Sequence, residues 1–121
     1  MLRPGRPPED SVWPGDDDPL AGHVALRDEH GEIVAVGSVM PEGPGWRVRG
    51  MATAPPARGR GYGARVLAEL VEHARAHGAQ LIWCHARVPA VPLYERAGFR
   101  AVTDVYVLPE TGPHRRMELE P

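Results

Sequence analysis

Residues 46–71, WRVRGMATAPPARGRGYGARVLAELV, decide the fold. A strand-like apolar run from Trp46 to Thr53 meets a break at Pro55–Pro56. A glycine-arginine turn follows (Arg58, Gly59, Arg60, Gly61, Tyr62, Gly63). Val66, Leu67, Leu70, Val71 and Ala74 then recur at gaps of one, three and four, which puts one apolar stripe on one helix face. The stretch reads strand, tight turn, helix. The first turn of a helix leaves amide N–H groups without intrahelical acceptors, and the helix dipole adds partial positive charge there. Glycines at 59, 61 and 63 permit positive φ and keep side chains away, while Arg58, Arg60 and Arg65 add full charges at the rim. Such a turn suits a phosphate or pyrophosphate. A bare arginine-glycine turn is the competing reading, but it leaves the amphipathic helix behind it unexplained.

Two phosphate-loop patterns do not fit. The nucleoside-triphosphate loop needs Gly-Lys-Ser/Thr, and no lysine follows these glycines. The dinucleotide fingerprint needs G-x-G-x-x-G and an acidic residue about 20 positions on, at a strand end. Here the spacing is G-x-G-x-G, with no acidic strand end at that distance.

Working outward, residues 1–20 carry Pro4, Pro7, Pro8, Pro14, Pro19 and the run Asp16 to Asp18. They predict an irregular arm before a domain over 21–121, with Val12 and Trp13 as pins. His23 to Arg27 and Ile33 to Met40 read as a hairpin about a turn at Asp28–Gly31. Pro41 to Gly45 reads as a loop before the strand Trp46 to Thr53. After the helix stops at His77-Gly78, Leu81 to Ala86 reads as a strand parallel to 46–53. A short helix over Val91 to Ala97, a strand over Phe99 to Leu108, a turn at Pro109–Pro113 and a last strand over His114 to Leu119 complete the chain. The class is α/β (α+β), in one domain of the 121 residues.

The net charge of −2 opposes a nucleic-acid surface, and no apolar run approaches the roughly 20 residues of a membrane span. A single cysteine, Cys84, forms no internal disulfide and fits a reducing cytoplasm, the expected location.

Arg58, Gly61 and Gly63 form R-x-x-G-x-G, which resembles the coenzyme A pyrophosphate loop of the GNAT acyltransferase superfamily. A-R-V-P-A-V-P-L-Y-E-R-A-G-F at Ala86–Phe99 resembles that superfamily's second motif, and G-P-H-R-R-M at Gly112–Met117 is similar to the final hairpin of some members. The resemblance covers about residues 22–119. It implies a mixed sheet splayed between 46–53 and 81–86, with a bulge near Gly50–Met51. It implies acetyl-CoA as cofactor. The pantetheine arm would bond to backbone of Met51, Ala52 and Thr53, and the pyrophosphate would lie at Arg58, Gly59, Arg60, Gly61, Tyr62, Gly63 and Ala64. The amide freed by the bulge would polarise the thioester carbonyl.

The reaction implied is direct acetyl transfer to a primary amine on a small molecule or peptide. Tyr94 would protonate the leaving thiolate. His85, where many relatives carry Asn, is the candidate base or cofactor contact, with Glu42 and His114 behind it. Many superfamily members begin with a strand and one or two helices that shape the acceptor pocket. Here only the arm precedes the first hairpin, so these elements are expected to be shortened. The arm or a second copy in a homodimer would cover the uncovered strand. The alternative is a non-catalytic acyl-CoA-binding or regulatory module. Cys84 reads as a buried hydrophobe rather than a nucleophile. His73 and His77, at i and i+4, read as a solvated helix face because no third metal ligand matches them. No metal is expected.

Overall fold

The computed structural model describes residues 19–109 and 111–121. Val12, Trp13, Asp16 to Asp18 and nearly all of the expected arm lie outside the described residues. The elements are β1 (Gly22–Arg27), β2 (Ile33–Glu42), β3 (Gly45–Thr53), α1 (Tyr62–Ala76), β4 (Ile82–Arg87), α2 (Val91–Arg96), β5 (Arg100–Ala101), β6 (Tyr106–Leu108) and β7 (Gly112–Leu119). They build one mixed sheet in the order β1-β2-β3-β4-β7-β5, with β6 also paired to β7. Among the described residues only the β3–β4 pair is parallel. No helix among the described residues is long and apolar enough to cross a membrane.

The predicted stripe packs α1 on the sheet. Val66, Leu67, Leu70 and Ala74 are fully buried, and Val71 packs beside them. Gly37 lets the helix approach β2 this closely. A Cβ there would lie 2.7 Å from Met51 Sδ, 2.8 Å from Val66 Cγ1 and 2.9 Å from Leu70 Cδ1. The Asp28–Gly31 turn forms as expected. Asp28 Oδ1 accepts from the His30 and Glu32 amides at 2.8 and 3.1 Å, and Gly31 takes φ +80°.

Two expectations need correction. The loop expected over 41–45 is a two-residue turn, because β2 continues to Glu42 and pairs it with Gly45. Gly43 has φ +62° and the Pro44 ring holds φ negative, a combination that suits a tight hairpin. Pro41 is tolerated because β1 pairs no further than Val39, so no neighbour needs its missing N–H. The strand expected over 99–108 is split into β5 and β6. Residues 102–105 bulge opposite Arg115 and Arg116 of β7. Thr103 fastens the bulge, its Oγ1 accepting from the Arg116 amide and its carbonyl from Arg115 Nε, each at 3.0 Å.

The stem between β3 and β4 is short. Pairing is confined to Trp46↔Ile82 and Arg47↔Trp83, preceded by a Trp46 N–H to Leu81 carbonyl bond of 2.9 Å. At Gly45 a Cβ would collide with the Leu81 carbonyl oxygen and lie 2.9 Å from Leu81 Cβ. Gly45→Ala is therefore expected to cost about 1–3 kcal/mol of stability, read as a lower denaturant midpoint. An unchanged midpoint would mean that the stem bears no strain from a methyl group.

Candidate active site

Beyond Arg47 and Trp83 the two parallel strands diverge, so the sheet forks at its centre. Val48 to Thr53 on β3 have no partner on β4, while β4 continues from Cys84 to Arg87 against β7. A bulge bends the free arm of β3. Val36 pairs with Ala52 but Ser38 pairs with Arg49, so β3 carries one extra residue at Gly50–Met51. Gly50 absorbs the kink at φ +71°. Met51 turns its side chain into the core, whereas Thr53 faces the cleft at the end of the arm.

That arm leads through a single 3-10 turn at Pro55–Ala57 into the glycine turn. Gly59 and Gly61 both take φ +81°, and a Cβ on either would meet nothing within 4 Å. Their glycine requirement is thus backbone conformation, not close contact. Gly61 is the N-cap of α1, no side chain caps the helix, and the Gly61 carbonyl accepts from the Arg65 amide. The amides of Tyr62, Gly63 and Ala64 precede that bond and keep their orphan donors. Gly63 differs from the other two. A Cβ there would point between Leu93 Cδ2 at 3.6 Å and Thr53 Oγ1 at 3.7 Å, into the cleft.

The cleft has a volume of about 310 Å³. Thr53, Arg58, Gly59, Gly61, Tyr62, Gly63 and Ala64 line it, so seven of the ten expected cofactor residues meet there. Arg58 Nε donates to the Thr53 carbonyl at 3.3 Å, which folds its guanidinium over the rim. Met51, Ala52 and Arg60 are not part of this wall; the first two lie on the free arm and Arg60 is exposed. Leu93 and Arg96 of α2 supply the opposite wall. Leu93 was legible only as part of Leu-Tyr-Glu-Arg, and Arg96 shares its side of α2 by the i, i+3 spacing.

Tyr94 is 5% exposed, with its ring edge-on to Phe99 at 5.4 Å. Its hydroxyl neighbours Cys84, the first β4 residue past the last pair with β3, so the phenol lies near the vertex of the fork. Burial, then the Cys84 neighbour, pushes the phenol far above its usual range. Burial likewise pushes the Cys84 thiol up to about 12, so it is protonated at neutral pH and no thiolate nucleophile exists.

His85 follows Cys84 on β4 and therefore points to the opposite face of the sheet. The structure does not bring His85 and Tyr94 into contact; it sets them across the strand from each other. His85 Nδ1 is 2.5 Å from the Tyr106 hydroxyl, and its ring is edge-on to Trp83 at 5.5 Å. Burial first, then the Arg47 and Arg116 charges, lowers its pKa; Glu42 opposes them. Nothing in the sequence pointed to Tyr106, whose partner lies 21 residues away and meets it only through β7.

The other candidates are occupied. Glu42 holds Arg47 at 2.8 Å, and buried His114 bonds the Gly112 carbonyl at 2.7 Å. His73 Nε2 bonds the Leu20 carbonyl and His77 Nδ1 the His73 carbonyl, both at 2.8 Å. Among the described residues no group of three metal-type ligands forms.

Comparison with known proteins agrees with this geometry. The sequence profile of the Acetyltransferase (GNAT) family matches residues 3–99. A UPF0039 protein of Schizosaccharomyces pombe is 30% identical over 103 residues, covering 82% of this chain and 67% of that protein. YitI of Bacillus subtilis, an uncharacterized N-acetyltransferase, is 24% identical over 121 residues, covering 94% and 80%. The crystal structure of Escherichia coli ElaA superposes with a TM-score of 0.78 at 21% identity, covering 93% of this chain and 77% of that one. The forked sheet, the glycine turn and the profile match together establish that the chain belongs to the GNAT acetyltransferase family, acyl-CoA-dependent N-acyltransferases that take their acetyl group from acetyl-CoA.

Proposed function

We propose that the chain transfers acetyl from acetyl-CoA to a primary amine on a small molecule or peptide, directly and without an acyl-enzyme, with Tyr94 as acid and His85 as base. The observation that carries this reading is the fork. The strands part just where Cys84 and His85 begin, with Tyr94 on one face and His85 on the other. Direct transfer needs a proton removed where the amine enters and a proton supplied where sulfur leaves. Groups on opposite faces of one strand meet that need.

The residues present fit the cofactor. The orphan amides of Tyr62, Gly63 and Ala64, with Arg58 and Arg96 at the rim, would hold the pyrophosphate. Backbone of Met51, Ala52 and Thr53 on the unpaired arm would hold the pantetheine. Acetyl-CoA supplies an acetyl group already activated as a thioester. The bulge at Gly50–Met51 frees backbone donors beside the fork, a preorganised source of electrostatic stabilisation. The protonated state of Cys84 argues against a covalent route.

His85 acts as base only when neutral. Because its pKa is lowered, the acid limb of kcat/KM is expected below the ordinary imidazole value of about 6.5. Arg47→Gln removes a cation that depresses it, so the limb should move to higher pH. The test is calorimetric titration with acetyl-CoA, then thiol release over an amine panel across pH. Binding without amine-dependent thiol release would instead support the regulatory module. An acid limb untouched by both Arg47→Gln and His85→Ala would remove His85 from the mechanism.

A further inference from the structure

On the sheet face away from α1, two arginines are fixed around one indole beside His85. The Arg116 guanidinium carbon lies 4.2 Å from the Trp83 ring centroid and that of Arg47 lies 5.2 Å from it. Trp83 is itself anchored, its Nε1 donating to the Glu42 carbonyl at 2.9 Å, and it is 6% exposed. Arg47 is braced by Glu42 at 2.8 Å, and Arg116 through Nε by Glu118 at 2.9 Å. Both side chains are about three-quarters covered. Stacking and bracing hold these guanidiniums in place. The arginines come from β3 and β7 and flank β4, so only the assembled sheet brings them to the fork.

We infer that Arg47 and Arg116, stacked on Trp83 beside His85, bind an oxyanion on the acceptor, so that the amine acetylated here belongs to a molecule that also carries a carboxylate or phosphate. The inference rests on the transferase reading and specifies its substrate class. A polyamine or simple alkylammonium would approach His85 against two guanidiniums. A zwitterionic acceptor instead places its anion on them and its amine at the base. The guanidinium fork suits either oxyanion through paired N–H donors. Among the charges that act on His85, Arg47 and Arg116 lower its pKa and Glu42 opposes them.

The test is thiol release by the full chain at saturating acetyl-CoA, with acceptors matched except for the acid. L-phenylalanine is compared with its amide and with phenethylamine, and aminoethyl phosphate with ethanolamine; the two series distinguish carboxylate from phosphate. The acid member of at least one series is expected to show about 10-fold or higher kcat/KM, carried by KM. Arg116→Gln should reduce that preference about 10-fold and Arg116→Lys less, with acetyl-CoA affinity unchanged. Calorimetric binding of the favoured acid to the enzyme alone should weaken in the same order and with added salt. Equal or better turnover of the amide or decarboxylated member overturns the inference while leaving the transferase reading intact. So does a preference that survives both Arg116→Gln and Arg47→Gln. Absence of thiol release with every amine overturns the transferase reading itself.

Discussion

Gly63→Leu is expected to raise the dissociation constant for acetyl-CoA by about 100-fold, or about 2.7 kcal/mol, while the melting temperature stays level or rises. The two halves of this result have separate causes. Gly63 is the second residue of α1, and leucine is favoured over glycine in a helix by up to about 1 kcal/mol. A Cβ at this position makes only ordinary contacts with Leu93 and Thr53, so the fold accommodates it. The rest of the leucine side chain must then extend between those two residues, into the space where the cofactor lies. Gly61 offers no such clean separation. At φ +81° any side chain strains the backbone, and lost binding would be mixed with lost stability. Calorimetry and thermal melting on Gly63→Leu measure both halves. Unchanged affinity in a folded variant would move the cofactor out of this cleft.

Tyr94→Phe is expected to lower kcat about 100-fold with acetyl-CoA affinity within about twofold of the parent. The ring stays, and with it the edge-on contact to Phe99; only the hydroxyl beside Cys84 is lost. The fold should therefore be little changed, and the defect kinetic. The burial that raises the phenol keeps it protonated throughout the assay range. Tyr94 therefore stays protonated and offers its hydroxyl as a hydrogen-bond donor to the sulfur on which negative charge develops. It does not set a basic limb in the neutral range, and the pH profile of the Phe variant should keep the parent's shape at reduced height. Full turnover in Tyr94→Phe would leave the tyrosine as packing alone.

The elements whose identity rests on near neighbours were legible in the chain. The α1 stripe, the Gly31 turn and the strand–turn–helix over 46–76 depend on spacings of a few residues, and all three form. The expected fork and bulge also form; the fork is implied by the resemblance alone, whereas the bulge is also signalled by Gly50 inside a strand. The tight hairpin at Gly43–Pro44 is not legible locally, because proline and glycine signal a long loop and a two-residue turn alike. The 99–108 strand was read as continuous because valines recur through the bulge; Val105 is 54% exposed there.

The sequence by itself determined that a glycine turn hands a strand to an amphipathic helix, because that pattern follows from spacings of a few residues; Tyr62 and Gly63, expected in the turn, instead open α1, and of the three turn glycines only Gly59 and Gly61 take positive φ. Only the tertiary structure decided where β3 and β4 part, that Tyr94 and His85 take opposite faces, and that Tyr106, Arg47 and Arg116 gather about β4. Alternation assigns a side chain to a face only after register is set, and register between strands tens of residues apart is fixed by packing against α1 and by the entry of β7 beside β4.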